Sequence, residues 1–169
     1  MAETWLNNDG LYIKYGRKMD TQARAGEYEL DGPNHVTEVV LNLAQLTAAA
    51  QIIDDTVSIP ANARIARVEV VTDTVAAGVG AVLNVGIIDQ DRSTVIDADG
   101  FVAALPTASM DAAGETTVLY VGTSYAGSSI GVTNNNAGLI TADYDTAAFT
   151  QGKVVVRIFW YVPVTATAL

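Results

Sequence analysis

The sequence predicts an all-β fold: a β-sandwich of jelly-roll-like order with an extended N-terminal arm. Three observations predict it. From Val36 onward, apolar residues recur at every second position and are rich in β-branched and aromatic types, which is the pattern of half-buried strands. Gly, Asn, Asp and Ser clusters break these runs at short intervals, too short for strand–helix–strand units. Half of the 169 residues are apolar and 17% are charged. A chain of that length buries roughly 70% of the surface its unfolded form exposes, so one domain can hold its own core.

The elements follow in order. Residues 1–35 read as the arm and 36–169 as a single sandwich domain. Turn chemistry fills the arm at Asn7-Asn8-Asp9-Gly10, Gly16, Gly26 and Asp31-Gly32-Pro33-Asn34. Between the turns stand Trp5, Leu6, Leu11, Tyr12, Ile13 and Tyr15. Burying each large side chain is worth about 1.5–3 kcal/mol, so a solvated tail would not carry them. They fit a first strand of the domain or an arm that docks on a neighbouring subunit. Charge favours the arm. Residues 1–24 carry Lys14, Arg17, Lys18 and Arg24 against Glu3, Asp9 and Asp20, a net of +1, while residues 25–169 sum to -11.

In the sandwich, Val39, Leu41 and Leu43 alternate with Glu38, Val40 and Asn42. Val57 and Ile59 share a face before Pro60. Arg64 to Thr72, Ala81 to Ile88, Thr117 to Val121, Ile130 to Val132, Ile140 to Tyr144 and Val154 to Val162 read as further strands. Leu43 to Ile53 is alanine-rich and could hold a short helix; Pro106 limits Phe101 to Met110 to one turn. The last strand is apolar on both faces, as expected where a second layer or a neighbouring subunit covers it.

Composition excludes several kinds of chemistry. There is no cysteine, hence no disulfide, thiolate zinc site or thiol catalysis. His35 is the single histidine, and no Gly-x-Ser-x-Gly elbow accompanies it, so a nucleophile–base pair has nothing to stand on. Nineteen acids against nine bases oppose phosphate-backbone binding. The N-terminus lacks the basic and apolar regions of a signal peptide. The apolar run Val154 to Val164, broken by Arg157 and Pro163, is too short to span a bilayer as a helix. The expectation is a non-enzymatic protein without nucleic-acid or membrane partners.

Two clusters remain. Asp89, Asp91, Asp97 and Asp99 place hard oxygen ligands at alternate positions in an expected loop region, and they are the candidate ligands of a structural calcium ion. The spacing departs from an EF-hand, and Asp-rich turns also arise because Asp hydrogen-bonds its own backbone. Asn134-Asn135-Asn136-Ala137-Gly138 reads as a hairpin tip. Together they would suit a carbohydrate-binding β-sandwich. No other cofactor is expected.

Several stretches resemble small structural proteins of tailed-phage virions, in particular the head decoration, or cement, type. They are Glu3-Thr4-Trp5-Leu6-Asn7-Asn8-Asp9-Gly10-Leu11, Ile59-Pro60-Ala61-Asn62-Ala63-Arg64-Ile65, Asp97-Ala98-Asp99-Gly100-Phe101 and Ala142-Asp143-Tyr144-Asp145-Thr146-Ala147-Ala148-Phe149. The resemblance implies a sandwich that forms a homotrimer on the outer surface of a capsid and bridges major capsid protein subunits, made in the host cytoplasm and located in the virion. A tail, baseplate or head-fibre component would share this composition. The residues expected at the partner interface, from charge and aromatic content, are Trp5, Leu11, Tyr12, Lys14, Tyr15, Arg17 and Lys18.

Overall fold

The computed structural model describes residues 3–6, 12–15 and 35–163. The chain divides into two units, 1–32 and 33–169. In the first, β1 (Glu3–Leu6) and β2 (Tyr12–Tyr15) pair antiparallel, with Trp5 opposite Ile13 and Leu6 opposite Tyr12. Leu11, Arg17 and Lys18 lie outside the described residues.

The second unit is a sandwich of two antiparallel sheets. Its strands are β3 (His35–Asn42), β4 (Gln51–Ile52), β5 (Ser58–Ile59), β6 (Arg64–Ala77), β7 (Val82–Asp89), β8 (Val95–Pro106), β9 (Thr116–Leu119), β10 (Gly138–Asp145) and β11 (Gln151–Tyr161). One sheet has the order β3-β11-β6-β9. The other has the order β4-β10-β7-β8, with β5 also pairing β10. The chain changes sheet at every connection except β4–β5 and β7–β8. Two antiparallel sheets packed in this way make the β-sandwich expected from the sequence.

Period-two patterning explains the packing. Val39 and Leu41 on β3, Val68 and Val70 on β6, and Val154, Val156 and Ile158 on β11 point inward from one sheet. Leu83, Val85 and Ile87 on β7, Phe101 and Leu105 on β8, and Ile140 and Ala142 on β10 meet them from the other. At about 25 cal/mol per Å² of apolar surface removed from water, this shared core is the main stabilising term.

Several expectations need correction. The alanine-rich Leu43–Ile53 stretch holds only a 3-10 turn, Leu43–Gln45, followed by the short β4. The segment from Val95 to Pro106, read partly as loop and partly as a turn, is the twelve-residue strand β8. Ile130 and Thr133 make isolated bridges to Ile65 and Arg64 and no strand. Asn134-Asn135-Asn136 is not a hairpin tip. It ends the crossover from β9 to β10, and the Asn134 amide N–H donates to the Ala63 carbonyl at 2.8 Å.

Candidate functional site

Among the described residues, no catalytic constellation assembles around the single histidine. His35 opens β3, and its ring stacks on Trp160 with centroids 4.4 Å apart. Trp160 Nε1 donates to Thr37 Oγ1 at 2.8 Å. The ring pair closes one end of the sandwich where β3 and β11 run side by side.

The aspartates serve the backbone. Asp89 Oδ1 accepts the Gln90 amide at 2.9 Å. Asp91 Oδ1 accepts the Ser93 amide and hydroxyl at 2.9 and 2.7 Å, and these bonds hold its pKa below the ordinary carboxylate value. Asp97 and Asp99 lie in β8, not in a loop. Asp97 Oδ2 accepts from the Ser128 hydroxyl, tying β8 to the β9–β10 crossover. The hydrogen bond between the Asp99 and Asp97 carboxyls raises the Asp99 pKa, and burial and the Asp97 charge push the same way. Among the described residues, no three Asp, Glu or His side chains come together in an arrangement that could hold a metal ion. A depression of about 350 Å³ lies beside Ile52, Ile53, Asp54, Asp55 and Arg92. No aromatic ring lines it, so it lacks the stacking platform that a sugar ring would use.

The surface with a defined pattern is the outer face of the β3-β11-β6-β9 sheet, built from the residues between the buried ones. Cross-strand register sets it in rows. Val36 and Arg67 flank Phe159, and the Arg67 guanidinium lies 3.8 Å over the Phe159 ring. In the next row Glu38, Arg157, Glu69 and Val118 stand side by side. Val40, Val155 and Val71 form an apolar row beyond it, and Lys153 lies past that. Val36 and Val40 are each 50% exposed.

Every charge in these rows has a partner within the face. Arg157 Nε reaches Glu38 Oε2 at 2.8 Å, Arg67 Nε reaches Glu69 Oε1 at 3.0 Å, and Lys153 Nζ reaches Asp73 Oδ2 at 3.2 Å. The hydrogen bond and charge of Glu38, with the nearby Glu69, hold the Arg157 pKa above its ordinary value. Exposed pairs of this kind contribute about 0.2–1 kcal/mol each. Their larger effect is to balance the charge of these rows. Within 35–163, Arg92 is the one base that stands outside β6 and β11. The remaining surface is therefore strongly acidic. Period-two alternation revealed the doubly apolar β11, but the pairing of the face's charges depends on cross-strand register, which the sequence does not display.

Trp5, Tyr12, Lys14 and Tyr15 of the expected interface fall in the paired strands β1 and β2. The other three expected residues lie outside the described residues.

No family model and no curated protein matches the chain. Solved structures do share its fold. A chain of the cyanophage Pam1 capsid asymmetric unit aligns with 87% of this chain and 94% of its own length, with a TM-score of 0.51 at 16% identity. A chain in the capsid of Ralstonia phage GP4 aligns with 79% of this chain and 87% of its own, with a TM-score of 0.50 at 15% identity. At such identities the likeness is one of fold.

Proposed function

We propose that this chain is a non-enzymatic structural protein of a phage virion, a decoration or cement protein that binds the outer surface of the capsid shell as a homotrimer. The observation that carries the reading is the fold shared along nearly the whole length of a chain in a phage capsid asymmetric unit. One further feature supports it: the rows of one sheet face pair their charges and are partly apolar, the character of a surface that is covered in an assembly.

In this reading the N-terminal segment reaches a neighbouring subunit. Trp5, Leu11, Tyr12 and Tyr15 supply apolar anchors, and Lys14, Arg17 and Lys18 meet the acidic surface of that neighbour. A two-stranded pair such as β1–β2 is marginal alone in water, so it gains from such a support. Weak contacts repeated through a trimer become firm by effective concentration.

The test is co-sedimentation with empty capsids of the virus that encodes the chain, with isolated tails as the comparison, alongside solution mass by light scattering. Binding to capsids and a mass of three chains, or a multiple of three, is expected. Binding to tails alone would make it a tail component. Deleting residues 1–24 is expected to leave a folded sandwich that binds capsids at least about tenfold more weakly; undiminished binding would remove the arm from the proposal.

A further inference from the structure

We propose that the outer face of the β3-β11-β6-β9 sheet docks on the same face of a second copy, about a two-fold axis that runs along the strands between β6 and β11. The contact is independent of the capsid reading and would form between free copies or between trimers.

Cross-strand register carries the argument. On this face Val155 stands opposite Val71, Arg157 opposite Glu69, and Phe159 opposite Arg67. Each pair joins chemically complementary groups: apolar with apolar, cation with anion, ring with guanidinium. A two-fold axis between the strands carries β6 of one copy over β11 of the other. Val155 then meets the partner's Val71, Arg157 meets the partner's Glu69, and Phe159 meets the partner's Arg67. The face is thus self-complementary, as an isologous interface requires. An axis along β11 itself would instead stack Arg157 on its own copy.

Net charge selects the same face. The chain carries a net charge of -10, so copies repel wherever acidic surfaces approach. On this face Glu38, Glu69 and Asp73 are matched by Arg157, Arg67 and Lys153, so the repulsion is weakest there. Size is adequate as well. The residues of β3, β6, β9 and β11, at about 3.4 Å along and about 4.8 Å across the strands, cover roughly 600 Å². A standard interface buries about 800 Å² per partner.

The absence of cysteine makes the contact testable. Two single-cysteine variants, Val71→Cys and Val155→Cys, are purified and oxidised mildly, alone and mixed. Val79→Cys, at a site 99% exposed, reports random collision. The mixture is expected to form disulfide-linked dimers about tenfold faster than the Val79→Cys control, because docking raises the local thiol concentration. A mixture no faster than the control would overturn the proposal. Val155→Cys alone linking as fast as the mixture would overturn the position of the axis.

A charge test complements it and leaves the thiols out. Arg157→Glu alone sets Glu over the partner's Glu69, and Glu69→Arg alone sets Arg over the partner's Arg157. Each is expected to lose self-association by light scattering, while an equimolar mixture recovers it because both contacts become opposite in sign. Circular dichroism confirms that each variant is folded. Failure of the mixture to recover association between folded variants would overturn the contact. Absence of capsid binding by the native chain, with this exchange intact, would count against the cement reading alone.

Discussion

Asp143 holds a carboxylate where only 6% of the residue remains exposed. Burial raises its pKa above the ordinary value, Asn84 partly offsets this by donating from Nδ2 at 2.8 Å, and Asp145 adds in the raising direction. A carboxyl whose folded pKa is raised favours folding most when protonated. Its contribution is present below the unfolded pKa and is lost as pH rises through the folded one. Asp99 acts in the same sense, whereas the exposed Asp54 and Asp91 are lowered and lose stability as pH falls. Asp143→Asn keeps an acceptor for Asn84 and removes the buried charge. It is expected to raise the melting temperature at pH 7 by roughly 2–4 °C, or about 1 kcal/mol in a chain of this size. The variant should also gain less on acidification toward the ordinary carboxylate range than the native chain, measured by thermal melts. The alternation around Ile140 identified the inner face of β10, but Thr141 and Asp143 on the other face are buried too. Period-two patterning reports which residues share a face, not whether that face is covered.

Strand β8 shows why an element can be hidden from its own sequence. Against β7, Asp97 stands opposite Ile87 and Val102 opposite Val85, so residues 98–101 bulge out of the ladder. The bulge breaks the alternation, and its Asp and Gly residues imitate a loop. The strand follows from its neighbour, through Gly86. A Cβ at that position would run into the Asp97 carbonyl and the backbone of Ala98. Glycine lets the bulged chain lie against β7. Gly86→Ala is expected to cost about 1–3 kcal/mol through overpacking, read from the midpoint of chemical denaturation. β3, β6, β7, β10 and β11 were legible because their ladders keep one inner face along most of their length. β4 carries too few residues for any period, and it forms because β10 offers it an edge. The arm's proposed role drew on charge and aromatic content, which no strand period records.

Across the whole molecule, acidity is distributed unevenly. Within 35–163 the bases other than Arg92 gather on β6 and β11, while acids spread over the strands and turns of both sheets from Glu38 to Asp145. Long-range repulsion between copies is screened beyond about 30 Å at 0.01 M salt and about 8 Å at 0.15 M. Short contacts within the neutral face are far less sensitive to salt. Self-association through that face is therefore expected to strengthen as ionic strength rises from 0.01 to 0.15 M, measured by sedimentation velocity. Weakening over that range would mean that attraction between exposed opposite charges drives the contact. The sandwich class and the acidity of the body were legible in composition and alternation. The neutral face was not, because it joins Glu38, Glu69 and Arg157, which lie far apart in the chain until register brings them together.

The strand order has a further consequence during synthesis. β11 is the last described strand to leave the ribosome, yet it occupies an inner position between β3 and β6. A chain that stops short of Gln151 leaves both neighbours without the ladder they share and removes Val154, Val156 and Ile158 from the core. Prematurely terminated copies thus cannot complete the sandwich. The topology makes completion of the core depend on translation through β11.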